Sequence, residues 1–231
     1  MPIKNSPLNR RDFLRTGLFA GLYVLGPGFK FKDQAQVALI GDSIRKGYQG
    51  NVSGFMPDDV TIWSPKAQEL NTINILQDLK DWLYTGTFEV IYINSGLNDI
   101  RTIDYYSNDP VIPIDLYSRN VENIIKMINR YSPASFVVWA TTTPVIDEWF
   151  EDWQSNFHDF KLKNEDIIRY NEEAKKTVTR LGAAVDDLYG YIMSGDPKLL
   201  MKDDGMHFTD YGYKVLGERV YGVIDKIINK M

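Results

Sequence analysis

A strand-like apolar run that stops at a glycine constrains this chain more than any other feature. Residues 37–40 read Val-Ala-Leu-Ile, and Gly-Asp-Ser follows at 41–43. Such a run is typical of a strand buried in a parallel sheet, and glycine permits a sharp turn after it. We therefore expect Ser43 at the carboxyl end of a central strand, where open α/β sheets bind their ligands. Gly-Asp-Ser is also an ordinary turn sequence, so the tripeptide alone leaves a purely structural role open.

Two distant segments offer the partners that a serine nucleophile needs. A serine hydroxyl requires a base to accept its proton and a third group to orient that base. Residues 204–207 read Asp-Gly-Met-His, a spacing that lets Asp204 hold one imidazole nitrogen of His207 while the other faces outward. The apolar run 90–93 leads into Ser-Gly-Leu-Asn-Asp at 95–99, which places the amide of Asn98 at the same sheet edge as an oxyanion donor. Each segment in isolation is also compatible with an ordinary loop.

Together, these blocks resemble the SGNH hydrolase superfamily, the GDSL-type esterases and lipases. The resemblance extends over roughly residues 36–231. It implies that Ser43 is the nucleophile, His207 the base, Asp204 the orienting carboxylate and Asn98 an oxyanion donor. It also implies a flavodoxin-like strand order and a second oxyanion donor in the backbone N–H of Ser43.

One block departs from the family pattern. The resembled family has a glycine after the second strand whose N–H is a third oxyanion donor. Residues 63–72 read Trp-Ser-Pro-Lys-Ala-Gln-Glu-Leu-Asn-Thr and contain no glycine, and Glu69 takes the expected position. A backbone N–H survives this replacement, but the backbone angles that aim it are no longer those glycine permits. The Glu69 carboxylate would oppose a developing oxyanion unless it turns away.

Alternating strand and helix patterns predict a three-layer α/β/α domain over residues 34–231. We expect five parallel strands, beginning near residues 36, 60, 90, 136 and 183. The pattern predicts a helix over 71–84 capped by Asn71 or Thr72, a helix capped by Asp115, one capped by Asn164 and a last helix from Asp210. Residues 99–114 are polar and irregular, which indicates a loop over the catalytic edge.

An aromatic segment at 149–160 has two interpretations. Its aromatic residues recur at helical spacing, which favours a helix that docks its apolar stripe on the domain. Alternatively, the segment caps the site, and Trp149 and Trp153 contact substrate together with Asp42 and Gly96. His158 lies within this segment, but it lacks an Asp-x-x-His context and has only His207 as a second histidine, so we expect neither a base nor a metal site there.

Composition excludes several classes of chemistry. The chain has no cysteine, which rules out disulfides, a thiolate nucleophile and cysteine-ligated zinc. Residues 1–33 carry six basic and two acidic side chains, a net charge of +4, which leaves −9 for the rest of a chain whose total is −5. An acidic domain argues against nucleic acid and anionic lipid surfaces as partners.

The basic head resembles a twin-arginine export signal. Residues 9–15 read Asn-Arg-Arg-Asp-Phe-Leu-Arg, and an apolar stretch follows at 16–28. That stretch is shorter than the ~20 residues of a spanning helix, so we expect a periplasmic or secreted protein without a stable membrane span. No convincing cleavage site precedes Val37, so a leader that remains attached as a tether, or a basic leader that covers the domain, stays open.

These features predict a serine esterase that needs neither cofactor nor metal. The expected substrate is a small-molecule or glycan ester with a short acyl group, with acetyl on a carbohydrate as the preferred class. The absence of a long apolar run after residue 34 argues against a lipase for bulk lipid. A carbohydrate-binding protein without turnover and an O-acyltransferase on the same scaffold remain alternatives, and the sequence leaves the oligomeric state open.

Overall fold

A parallel five-stranded sheet forms the centre of the computed structural model, which describes residues 35–67, 69–103, 109–157 and 160–231. The strand order is β2-β1-β3-β4-β5, and all neighbouring strands run parallel. This is the flavodoxin-like order, so the predicted fold class and strand count are confirmed. The strands are β1 (Ala35–Gly41), β2 (Val60–Trp63), β3 (Val90–Asn94), β4 (Phe136–Ala140) and β5 (Ala184–Asp186).

Helices connect these strands and cover the sheet. Helix α1 follows β1 directly and packs against the C-terminal helix α8, whereas α2 packs against α4 and α4 against α6. The helices are α1 (Ser43–Phe55), α2 (Thr72–Leu83), α3 (Leu97–Ile100), α4 (Ile114–Tyr131), α5 (Asp147–Phe157), α6 (Asn164–Arg180), α7 (Leu188–Met193) and α8 (Asp210–Ile228), with a 3₁₀ turn at Pro197–Leu199.

The core explains why the apolar runs form strands. All five residues of β3 and residues 37–41 of β1 are buried, as expected for strands with helices on both faces. Each long helix contributes one apolar stripe; in α4, for example, the buried side chains recur every three or four residues. The stripe of α4 comprises Tyr117, Val121, Ile124, Ile125 and Ile128.

The observed helix starts correct two predictions. Asn71 caps α2 with a reciprocal capping box, as predicted. Asp115, however, lies in the first turn of α4, whose N-cap is Pro113, and Asn164 is the first residue of α6, whose N-cap is Lys163. The Asn164 side chain instead accepts from the N–H of Val145 (3.3 Å) and donates to the Tyr189 hydroxyl (2.9 Å), because tertiary partners compete with the local cap.

Several predictions fall outside the described residues. The leader at 1–33 and His158 belong to this group, as do residues 104–108 of the loop over the catalytic edge. That loop also begins later than predicted, because residues 97–100 form the short helix α3. Among the helices that the structure describes, none has both the length and the apolar character to cross a membrane.

Candidate active site

Ser43 lies where β1 ends and α1 begins. Gly41 permits this approach, because a Cβ atom there would collide with the backbone carbonyl of Asn94 on the neighbouring strand. Asp42 is the N-cap of α1, and its carboxylate accepts from the N–H of Ile44 at 3.0 Å. Ser43 is consequently the first residue of helix α1 and is partly exposed. It lies at the N-terminus of the helix, where the helix dipole favours negative charge.

A continuous hydrogen-bonded relay links Ser43 to the distant histidine. The Ser43 Oγ lies 3.0 Å from His207 Nε2, across 164 positions of sequence. The other ring nitrogen, Nδ1, lies 2.7 Å from Asp204 Oδ2. Because a carboxylate only accepts, we assign the proton of neutral His207 to Nδ1, which leaves Nε2 free to accept from the serine hydroxyl. The structure thus brings together the three residues of the predicted triad.

Hydrogen bonds between its own residues hold most of the histidine loop, residues 200–209. Asp204 Oδ1 accepts from the N–H groups of Met206 (2.9 Å) and His207 (2.8 Å). Burial opposes ionisation of Asp204, but the hydrogen bond from the His207 ring and these two N–H groups outweigh it and lower the pKa of Asp204 to about 2. The carboxylate beside His207 is therefore ionised at neutral pH, as an imidazolium partner must be.

Asn98 lies at the carboxyl end of β3, one residue into the short helix α3. Its Nδ2 donates to the carbonyl of Leu70 at 3.4 Å, which occupies one of its two N–H groups. The second N–H is therefore available for another acceptor. Gly96, the N-cap of α3, packs so closely on the segment after β4 that a Cβ atom there would collide with the Thr142 hydroxyl. Its observed contact is thus with the protein, and its predicted role in substrate binding stays a prediction.

The β2–α2 loop, residues 64–70, is the segment without a glycine. Glu69 is exposed, so its side chain extends into solvent. The carbonyls of Pro65 and Ala67 both accept from the guanidinium of Arg45, at 3.3 and 2.8 Å. Sequence reasoning missed Arg45, although a signal was present: this arginine lies on the buried stripe of α1 that also contains Tyr48 and Val52.

Two buried carboxyl groups lie beneath the site. Burial raises the pKa of Asp42 to about 6 and that of Asp99 to about 7, against opposing hydrogen bonds from neighbouring N–H groups and, for Asp99, from the Thr72 hydroxyl. Asp42 is only 2% exposed and its carboxylate caps α1. The Asp42 carboxylate thus faces the first turn of α1 from inside the protein, and its predicted role in substrate binding stays a prediction.

The aromatic helix α5 begins beside the histidine loop. The N–H of Ile146 donates to the carbonyl of Gly205 at 2.8 Å. A Cβ atom placed on Gly205 would lie 3.0 Å from the Cβ atom of Trp149. Trp149 and Trp153 are partly buried, and their rings contact Lys198 and Phe150, respectively. The segment therefore adjoins the site as the cap hypothesis requires, while its aromatic stripe docks on the core; the substrate contacts of both tryptophans stay predictions.

Within the described part of the chain, no group of three His, Asp or Glu side chains is arranged to hold a metal ion. The relay, the helix N-terminus and the amide of Asn98 have the geometry that acyl transfer requires, in which a hydroxyl attacks and a carbonyl oxygen becomes negative.

Comparison with solved structures shows the same fold in several hydrolases. A lipase/acylhydrolase from Enterococcus faecalis superposes with a TM-score of 0.64 and 17% sequence identity, covering 83% of this chain and 95% of that one. A GDSL-like lipase from Bacteroides thetaiotaomicron gives a TM-score of 0.64 at 15% identity, with 94% and 98% covered. An acetyl xylan esterase gives a TM-score of 0.62 at 17% identity, with 82% and 99% covered.

These similarities define the fold of the chain as that of the SGNH hydrolases. Neither a protein-family model nor a curated protein sequence matches the chain. Because the structural identities lie below 25%, the comparison supports the architecture, and the activity has to be argued from the site itself.

Proposed function

We propose that this protein is a serine esterase that works through an acyl-enzyme. The observation that carries the proposal is the unbroken relay from Ser43 Oγ through His207 to Asp204 at the carboxyl edge of the sheet. Separate elements supply its parts, α1 on one side and the histidine loop on the other. A purely structural role for these residues does not require this order of acceptor and donor atoms.

The geometry supports the following reaction. His207 Nε2 takes the proton of Ser43 Oγ as the oxygen attacks the ester carbonyl carbon. The carbonyl oxygen becomes an oxyanion, which the free N–H of Asn98 and the backbone N–H of Ser43 stabilise. His207 then gives its proton to the departing alcohol, which leaves the acyl group on Ser43. Water repeats the attack with His207 as the base, and the released acid restores the serine.

Hydrolysis of 4-nitrophenyl acetate by the wild type and by Ser43→Ala tests this proposal. We expect measurable turnover in the wild type and loss of nearly all of it in the variant. Equal rates in the two proteins would overturn the serine mechanism. An inactive wild type that still binds acetylated oligosaccharides would favour the carbohydrate-binding alternative.

We further propose that the natural substrate is a short-chain ester, with acetyl groups on a carbohydrate as the preferred class. An acetyl xylan esterase shares the fold, and this supports the proposal only by analogy. A series of 4-nitrophenyl esters from acetate to decanoate, followed by acetylated xylan, tests it. The highest kcat/KM should fall on acetate, and a maximum at long acyl chains would indicate a lipase instead. Transfer of the acyl group to added alcohols in preference to water would indicate an acyltransferase.

Export by the twin-arginine route is our proposal for localisation. It is supported by the paired Arg10 and Arg11 followed by Phe13 and Leu14 in a leader whose net charge is +4. Replacement of both arginines by lysine should retain the protein in the cytoplasmic fraction. Unchanged export of that variant would contradict the assignment.

A further inference from the structure

Arg45 lies in the interior of the protein, two residues after the nucleophile. Its residue exposure is 2%, although it carries a charge and sits in the first turn of α1. Buried arginines are rare unless their N–H groups have partners. Nη1 donates to Gln49 Oε1 at 2.6 Å, and Nη2 donates to three backbone carbonyl oxygens.

The three carbonyls belong to two separate segments, the end of β1 and the β2–α2 loop. One is that of Gly41, at 3.2 Å, immediately before Asp42 and the nucleophile. The other two are those of Pro65 and Ala67 in the β2–α2 loop, at 3.3 and 2.8 Å. Because Nη2 has only two hydrogens for three acceptors, at least one hydrogen is shared, which ties the carbonyls into one cluster.

Different residues hold the C-terminal end of the β2–α2 loop. The carbonyl of Leu70 accepts from Asn98 Nδ2 and from the Ser95 hydroxyl, both at 3.4 Å. The loop is thus fixed at Ala67 by Arg45 and at Leu70 by the segment that carries the oxyanion amide. Glu69 lies between these two anchors, at the position where the resembled family has a glycine.

We propose that Arg45 is a positioning residue for the oxyanion site: its guanidinium holds the β2–α2 loop so that a backbone N–H of the loop faces the substrate carbonyl. A glycine would allow the backbone angles that aim the N–H group. Without a glycine, the hydrogen bonds from Arg45 fix the conformation of the loop from outside. Arg suits the task because a planar fork can bridge several acceptors, whereas a lysine ammonium is a point charge on a flexible stem. The inference rests on the esterase function proposed above.

Arg45→Lys tests the proposal, because lysine keeps the charge but not the fork. The measurements are kcat and KM for 4-nitrophenyl acetate, the inhibition constant of methylboronic acid and the midpoint of thermal unfolding. Methylboronic acid is chosen because its tetrahedral adduct on Ser43 requires an intact oxyanion site. Arg219→Lys is the matched control, since Arg219 also binds through a fork, to Asp186 at 2.7 and 2.9 Å, far from the β2–α2 loop in sequence.

For Arg45→Lys we expect kcat to fall about 10- to 100-fold, somewhat less than for complete loss of an oxyanion donor. KM should stay nearly constant, and the boronate inhibition constant should rise by the factor by which kcat/KM falls. Arg219→Lys should lower the unfolding midpoint and leave kcat unchanged.

If Arg45→Lys does not fold, Gln49→Met serves instead. This variant removes only the partner of Arg45 Nη1, so kcat should fall less than in Arg45→Lys, and KM should again stay nearly constant.

The outcomes separate this inference from the esterase proposal. An unchanged kcat in Arg45→Lys, with Ser43→Ala inactive, would overturn the positioning role and leave the serine mechanism intact. If Arg45→Lys and Arg219→Lys lose the same amount of stability and also the same amount of kcat, the role of Arg45 is only structural. Full activity of Ser43→Ala would overturn the serine mechanism and the role of Arg45 with it.

Discussion

The two loops at the site are held in different ways. The histidine loop is held mainly by its own residues: Asp204 accepts from the N–H groups of residues two and three positions later, and Gly205 supplies a left-handed turn with φ of 65°. One distant group, the N–H of Ile146, also donates to the carbonyl of Gly205. The β2–α2 loop depends on others, because its carbonyls are bound by Arg45 and Asn98, which lie 20 to 28 positions away. A loop with local contacts can be recognised in a sequence, and a loop with distant anchors cannot.

The largest effect is expected in the histidine loop. Asp204→Asn leaves the shape but removes the acceptor that fixes the tautomer of His207, and an amide can present its NH₂ to the ring instead. We expect kcat to fall about 10⁴-fold. Measurement of kcat for 4-nitrophenyl acetate checks this, and a fall of less than tenfold would mean that the loop backbone alone orients the imidazole.

Asn98→Ala tests the anchor shared by the oxyanion site and the β2–α2 loop. The substitution removes the proposed oxyanion donor and also the hydrogen bond to the carbonyl of Leu70. We expect a loss of about 10²- to 10³-fold in kcat. Ser95→Ala is the control, since it removes only the other partner of the Leu70 carbonyl. An equal loss in both variants would show that anchoring of the loop, rather than the amide of Asn98, limits turnover.

Gly205→Ala tests the left-handed turn of the histidine loop and its packing against the start of α5. Alanine is strained at a φ of 65°, and its Cβ would lie 2.7 Å from the carbonyl oxygen of Ile146 and from the nitrogen of Phe150. We expect the free energy of unfolding to fall by roughly 2–4 kcal/mol in urea titrations. Gly54→Ala, which meets no atom within 4 Å in helix α1, should instead be neutral or slightly stabilising. Similar losses in both variants would contradict the special role of Gly205.

Two carboxyl groups near the site, Asp204 and Asp99, should respond to pH in opposite directions. Hydrogen bonds hold the pKa of Asp204 at about 2, below its unfolded value of about 4, so its stabilisation exists above pH 4 and is lost as the pH falls toward 2. Asp99 binds Thr72, the first residue after the cap of α2, and burial raises its pKa to about 7. Its stabilisation is present below pH 4 and is lost as the pH rises through 7.

Urea titrations from pH 2 to 8 check this contrast. The wild type should lose stability at both ends of the range. Asp99→Asn should reduce the loss between pH 4 and 7 and leave the acid limb unchanged. The remaining slope belongs to Asp42, whose pKa burial raises to about 6, and to Asp186, whose pKa burial also raises. An unchanged slope in Asp99→Asn would show that Asp99 is ionised in the folded protein at neutral pH.

The smallest effect is expected at Glu69. Its side chain is exposed and the loop around it is anchored by Arg45, so Glu69→Gly should change kcat by less than about twofold. Its stability should fall by about 0.5–1 kcal/mol, because glycine loses more backbone entropy on folding. A severalfold rise in kcat would instead identify the missing glycine as a handicap that Arg45 does not relieve.

Local signals account for what the sequence predicted correctly. Apolar runs bounded by turns placed the five strands, Asn71 marked the start of α2, and the Asp-x-x-His spacing anticipated the pairing of Asp204 with His207. The errors arose where distant groups compete with local ones. Asn164 binds Val145 and Tyr189 in place of capping its helix, which begins after Lys163. The fork of Arg45 joins segments whose proximity exists only in the folded chain.

Reaction with an alkyl fluorophosphonate, followed by peptide mapping by mass spectrometry, tests the central claim most directly. This reagent modifies a serine only where a neighbouring base activates it and an oxyanion site receives the phosphoryl oxygen. The account predicts a single adduct on Ser43 in the wild type and none in His207→Ala. An adduct on a different residue, or equal labelling of Ser43 in the two proteins, would contradict it.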